Sequence, residues 1–168
     1  MPGKHDAISI FNAAIEAVHP SKLIVQYLRL EDNVLIIGNE QIALTADQKI
    51  FVIGAGKAVA AMAEATEKIL GARIHKGIVT TKYRHAISLN HIRCIEAAHP
   101  VPDRNSFDAA KQTIELLHQA DENDIIICLL SGGASSLWAD TPEEITQSDM
   151  LAVFDTLLNC GATIHENN

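Results

Sequence analysis

The chain has 168 residues, 48% of them hydrophobic and 20% charged, and a formal net charge of −8. That length leaves room for a proper buried core, and the composition excludes a disordered, collagen-like or disulfide-scaffold chain. So acidic a chain repels nucleic acid and anionic membrane, and no apolar run approaches the roughly 20 residues of a membrane span. The first residues, Met1 to Asp6, lack the apolar stretch of a signal peptide. The expectation is one α/β domain over residues 1–168, cytoplasmic, with neither nucleic acid nor membrane as partner.

Cys94, Cys128 and Cys160 stand far apart with no Cys-x-x-Cys pair, so a structural zinc site is not expected. Cys94 and Cys128 sit inside apolar runs and read as small core residues. The eight histidines show no metal-pair spacing, and no metal ligand is assigned.

In chain order, Ile8, Phe11, Ile15 and Val18 mark one face of a helix that Pro20 interrupts. Ser21 can cap a second short helix carrying Leu23, Ile24, Tyr27 and Leu28. Val34–Ile37 reads as a strand ended by the turn pair Gly38-Asn39, and Lys49–Ile53 as a strand apolar on both faces, interior to a parallel sheet. After Gly54-Ala55-Gly56 the period becomes helical, with Val59, Met62, Ala63, Thr66, Ile69 and Leu70 on one stripe and Gly71 at its C-terminal cap. Gly77–Thr81 and Ile92–Glu96 read as strands joined by a polar loop containing Tyr83-Arg84-His85. Asp103 caps a helix whose buried face is Phe107, Ala110, Ile114 and Leu117. Ile125–Leu130 is the strongest interior strand. Thr146 to Asp149 has capping-box spacing before a last helix presenting Met150, Val153, Phe154, Leu157 and Leu158. Strands alternating with helices over such units indicate a parallel sheet wound on both faces.

Ligands of open α/β sheets bind beyond the carboxyl ends of the strands, where two glycine-rich turns fall here. The first is Gly54-Ala55-Gly56-Lys57-Ala58, whose glycines permit close backbone approach and whose following helix aims free N–H groups at one point. Val59 occupies the last glycine position of a dinucleotide fingerprint, and Phe51 and Ala58 break a Walker loop, so neither nucleotide motif is present. Lys57 faces the positive end of a helix dipole; either it holds an anion together with the helix end, or it swings into solvent. The second turn, Ser131-Gly132-Gly133-Ala134-Ser135-Ser136, has more small residues than a turn requires and reads as a nest of N–H groups with serine donors for an anion. The third feature, Glu96 to Asp103, holds His99, a candidate ligand contact or acid–base group, while Asp103 reads as a helix cap. Trp138 and Phe154 read as core residues. His165-Glu166 also falls among the titratable candidates.

These motifs resemble the type II glycerate 2-kinases, some of which carry the older label hydroxypyruvate reductase. The matching stretches are Val52–Ala58, Gly77–Tyr83, Glu96–Asp103, Leu130–Ser135 and Gly161–Glu166. The resemblance implies a Rossmann-like parallel sheet with helices on both faces, the N-terminal part of a two-domain enzyme, with ATP and D-glycerate meeting between the domains. It implies Mg²⁺-dependent transfer of the ATP γ-phosphoryl group to the 2-hydroxyl of D-glycerate. Lys57 matches the family's lysine and would stabilise charge on the transferring group; Gly54, Gly56 and His99 lie in the matched stretches; Ser131, Gly132, Gly133 and Ser135 would cradle phosphate or carboxylate. Ala134 stands where the family has a third glycine, and Arg84 where it has glycine before His85. The chain matches less than half of such an enzyme, so turnover by the chain alone is not expected. Two other readings remain open: an NADPH-dependent hydroxypyruvate reductase with Lys82 and Arg84 on a 2′-phosphate, and an inactive, truncated anion-binding domain that forms a homo-oligomer through exposed apolar surface.

Overall fold

A computed structural model describes residues 2–161 and Thr163. The helices are α1 (Pro2–Ala17), α2 (Pro20–Tyr27), α3 (Val59–Leu70), α4 (Arg104–Leu117), α5 (Ala134–Leu137) and α6 (Gln147–Asn159). The strands are β1 (Leu28–Glu31), β2 (Val34–Ile37), β3 (Glu40–Ala43), β4 (Ile50–Ala55), β5 (Ile74–Lys82), β6 (Ile92–Ala97) and β7 (Ile125–Leu130).

Four strands form a parallel sheet in the order β6-β5-β4-β7. β4 is buried along its whole length, as its unbroken apolar run demands of a central parallel strand. Its side chains divide by the period of two: Ile50 and Val52 join Val59, Ala63 and Leu70 of α3 on one face, and Phe51 and Ile53 join Leu116 of α4 on the other. The sheet is therefore wound on both faces. Leu28, Leu35 and Leu44 belong to the α3-side cluster, so the antiparallel meander β1-β2-β3 closes over α3 as a further layer.

Sequence periodicity captures β2 but places it in no separate sheet, and misses its partners β1 and β3. Leu28 opens β1 instead of closing the second helix, and its side chain is 5% exposed. The predicted apolar faces of two helices also shift. In α4 Ile114 is 46% exposed while Thr113 and Leu116 are buried, and every described side chain of α1 is exposed, Phe11 included. Among the described residues β7 is not an interior strand but an edge: it pairs with β4 alone, and the face carrying Ile126, Cys128 and Leu130 is bare. An all-apolar run has no alternation to reveal that one of its faces is open. Cys128 is accordingly exposed rather than in the core, whereas Cys94 packs half-buried against the α3-side cluster. Two of the three predicted N-terminal caps form, Asp103 with Ser106 and Thr146 with Asp149, each a reciprocal capping box, whereas α2 is capped by His19, whose ring accepts the Ser21 N–H, because Pro20 already opens the helix and puts Ser21 in its first turn.

Glu67 on α3 holds the loop that joins β5 to β6. Its carboxylate accepts the N–H groups of Asn90 (2.7 Å), His91 (2.8 Å) and Ile92 (3.1 Å) and the Asn90 amide (3.3 Å), although the residue is buried. Burial pushes its pKa up, but the three backbone donors outweigh that and leave it below the ordinary carboxylate value. A depressed carboxyl stabilises the fold above its unfolded pKa and loses that contribution as pH falls through the folded value. Glu67→Gln turns an amide NH₂ toward N–H donors and is expected to cost about 2–4 kcal/mol at neutral pH. The acid limb of the Tm-against-pH curve should flatten in the variant; an unchanged limb would show that Glu67 is not the titrating latch.

Candidate functional site

β5 lies on one side of β4 and β7 on the other, so the strand order reverses at β4, and the loops after β4 and β7 flank the crevice where ligands of open α/β sheets bind. Both glycine-rich turns are therefore at one rim. They are bonded to each other. Ser131 N–H donates to the Ala55 carbonyl (3.1 Å), Lys57 N–H to the Gly132 carbonyl (3.0 Å), and Ala58 N–H to Ser131 Oγ (3.0 Å). Gly54 and Gly56 permit this approach. A Cβ on Gly54 falls under 3.0 Å from Leu129 and Val59, and one on Gly56, whose φ is +138°, under 3.0 Å from Ser131.

This clasp revises the reading of the first loop. Gly56 N–H donates to Thr80, and Val59 N–H to Gly56. With Lys57 and Ala58 bonded to the β7 loop, the first loop's N–H groups are committed within the protein and do not form an anion pocket. The β7 loop differs: among the described residues, no acceptor takes the N–H groups of Gly132, Gly133, Ala134 or Ser135. Ser131 Oγ serves as an acceptor in the clasp, and Ser136 Oγ donates to the Gly133 carbonyl (3.1 Å). Ser135 is exposed at the rim.

Lys57 stands one residue before the N-cap of α3 and is exposed. Its stem lies over the second loop: a Cβ on Gly132 would meet Lys57 Cε at 3.8 Å, and one on Gly133 would meet Lys57 Cγ at 3.4 Å and His99 Nε2 at 2.5 Å. Gly133 has φ +90°, and the positive φ falls there and not at Ala134, which starts α5 in ordinary helical geometry. The alanine in place of a third glycine is thus accommodated. His99 sits between these groups. Its burial, then the charges of Lys57 and Lys82, hold its pKa below the usual histidine value, so the ring is neutral near pH 7. Lys82, which the reductase reading placed on a 2′-phosphate, is the last residue of β5.

The wall beside His99 is a bonded network. Asp103 caps α4 and accepts the Tyr83 hydroxyl, Glu96 accepts the N–H groups of His85 and Ala86 (both 2.9 Å), and Asn105 bridges the Tyr83 hydroxyl and the Glu96 carbonyl (both 3.1 Å). Arg84 has φ +66° in the middle of this loop, the left-handed region that favours glycine. Arg84→Gly is expected to raise stability by about 0.5–1 kcal/mol in a denaturant titration. A destabilised variant would mean that the arginine side chain contributes more than its backbone strain removes.

Beyond His99 and Gly133 the rim opens into a cavity of about 480 Å³, with Ser135 and Ser136 at its polar end and α6 as its far wall. That wall consists of Met150, Val153, Phe154, Leu157 and Leu158, the face predicted for the last helix; Phe154, expected in the core, is half-buried. Trp138 packs partly buried against Phe51 and Leu137 and their neighbours. His165 and Glu166 lie outside the described residues, as does most of the Gly161–Glu166 motif. Among the described residues no group of three or more histidine, cysteine or acidic side chains could hold a metal ion, and no helix is long and apolar enough to cross a membrane.

The fold and rim define a doubly wound α/β protein with, among the described residues, a loop of unpaired backbone N–H groups at its switch point. Residues 6–168 match the family described as "Domain of unknown function (DUF4147)", and the chain belongs to that family. The glycerate 2-kinase of Pyrococcus horikoshii is 36% identical over 161 residues, which cover 96% of this chain and 36% of that protein. The D-glycerate 2-kinase of Thermotoga maritima is 35% identical, again over 96% of this chain and 36% of its own length. An Agrobacterium vitis protein bearing a hydroxypyruvate reductase label is 45% identical over 117 residues, 70% of this chain and 30% of its own. A crystal structure of a Pyrococcus horikoshii OT3 protein superposes with TM-score 0.84 at 34% identity, covering 96% of this chain and 36% of that one. The crystal structure of Thermotoga maritima glycerate kinase superposes with TM-score 0.74 at 32% identity, over 95% and 35%. The chain thus spans 36% of the length of the kinases it resembles, matching their N-terminal part.

Proposed function

We propose that the chain is the nucleotide- and substrate-binding part of a glycerate 2-kinase, which transfers the γ-phosphoryl group of ATP to the 2-hydroxyl of D-glycerate, giving 2-phosphoglycerate and ADP. One observation carries the reading: the Lys57 stem lies across Gly132 and Gly133 beside His99, at the switch point of the sheet. Phosphoryl transfer requires positioning and charge neutralisation above all. Lys57 neutralises the oxygens of the transferring group, the N–H groups of Gly132 to Ser135 hold a phosphate or the substrate carboxylate, and Gly54 and Gly56 let the two loops meet. His99, neutral at the rim, is the described group able to take the hydroxyl proton.

Among the described residues the rim offers lysines, a histidine and serines but no cluster of carboxylates. These residues do not fit a protein-held Mg²⁺. The kinase relatives support phosphoryl transfer over the reductase reading, as does Val59 at the last position of the dinucleotide fingerprint. Cytoplasmic location, and a chain that alone gives no turnover, are part of the same proposal.

The test is a chimera in which this chain replaces the matching segment of the Pyrococcus relative. The expected product from ATP and D-glycerate is 2-phosphoglycerate, with none from the 168-residue chain alone. A folded chimera that oxidises NADPH with hydroxypyruvate and makes no phosphorylated product would overturn the proposal.

A further inference from the structure

The cavity behind the rim has a chemistry that glycerate does not explain. Its polar end is formed by His99, Gly133 and Ser135, within reach of the loop that carries the unpaired N–H groups. Its far wall is entirely apolar, built from Met150, Val153, Phe154, Leu157 and Leu158 of α6. Small-molecule sites have this form, a mostly apolar enclosure with a few convergent polar groups, and about 480 Å³ lies within their usual range. Every carbon of glycerate bears oxygen, so it has no surface to match such a wall. A nucleoside triphosphate has an anionic end for the Lys57 rim and a flat aromatic base for the wall, where a half-buried Phe154 is available for stacking.

We infer that the cavity between the His99–Gly133 rim and α6 is the nucleoside subsite, so that the β7 loop carries the nucleotide's phosphates and glycerate approaches from the opposite, open side of Lys57. The inference rests on the phosphate reading of the rim proposed above, and it adds a role for α6. The helix wall grips the base while the rim grips the charge. This division gives each part its own ligand: tripolyphosphate engages the rim alone, and adenosine the wall alone.

The 168-residue chain is titrated calorimetrically with ATP, tripolyphosphate and adenosine, as wild type and as Val153→Asp and Phe154→Ala. Val153 is 53% exposed, so the aspartate alters the wall without burying a charge in the fold. ATP should bind about tenfold or more tightly than tripolyphosphate, the increment expected for one stacked base. Both variants should bring ATP down to the tripolyphosphate level and abolish adenosine binding, while tripolyphosphate binding, which also reports an intact rim, stays unchanged. Equal wild-type affinities for ATP and tripolyphosphate would overturn the inference, as would an ATP preference that survives Val153→Asp. Adenosine binding that is lost in the variants, with no tripolyphosphate binding in any form, would uphold the subsite and instead remove the phosphate reading of the rim.

Discussion

Lys57→Met is expected to weaken tripolyphosphate binding by about 10- to 100-fold while leaving the fold intact or slightly more stable. The loss corresponds to one charge-assisted contact to an anion, about 1.5–3 kcal/mol. The gain in stability follows from position. The lysine precedes the N-cap of α3 and is exposed, so its charge opposes the positive end of the helix dipole, at a cost of about 0.3–1 kcal/mol. Removing it should raise Tm by roughly 1–3 °C. In the chimeric kinase the same substitution should lower kcat by about two to three orders of magnitude, as removal of a transition-state charge partner does elsewhere. A lysine that merely swings in solvent predicts the opposite pattern: unchanged binding, with the same small gain in Tm. Calorimetry and thermal unfolding on one pair of proteins separate the two.

Gly56→Ala acts on the other half of the rim and through the backbone. The residue has φ +138°, and an added Cβ falls under 3.0 Å from both the hydroxyl and the carbonyl of Ser131. Neither atom can step aside freely, because Ser131 Oγ accepts the Ala58 N–H and its own N–H is bonded to Ala55. Strain at such a φ costs about 1–3 kcal/mol before any clash is counted, so a total of at least about 3 kcal/mol is expected in denaturant unfolding. Anion binding should fall with it even at temperatures where the variant is folded, since the β7 loop must be displaced. Gly3→Ala is the matching control, because nothing lies within 4 Å of a Cβ there. A stable Gly56→Ala variant with normal tripolyphosphate affinity would mean that the two loops do not depend on each other.

The sequence exposes those parts of the fold that depend on local pattern. β4, β5 and β6 are legible from apolar runs bounded by glycine and polar residues, and the Asp103 and Thr146 caps from single side chains at fixed offsets. β1 and β3 are not, because four-residue strands such as Glu40-Gln-Ile-Ala43 carry almost no periodic signal, and their pairing is decided by the turns at Asp32 and Gly38. β7 was legible as a strand but not as an edge, since neighbours across a sheet leave no mark on the run itself. At the rim, the identities of Lys57, His99, Gly132 and Gly133 could be read, and the structure brings them together. What could not be read was where the backbone donors point: the first loop looks as capable of holding an anion as the second until its N–H groups are found engaged by Thr80, Gly132 and Ser131. The α6 face was visible as an apolar stripe, but a stripe looks the same whether it meets a core or a cavity.

The hydrogen bonds that tie the β4 and β7 turns together leave the rim with little compliance. Two segments more than seventy residues apart in the chain share three backbone-donated bonds, so neither can swing over a ligand without tearing the other. Closure over a ligand therefore falls to elements outside this brace, of which α6 flanks the rim. In the phosphoryl transfer proposed above, the braced floor would be the fixed jaw of a vice, the reference against which donor and acceptor hydroxyl are aligned.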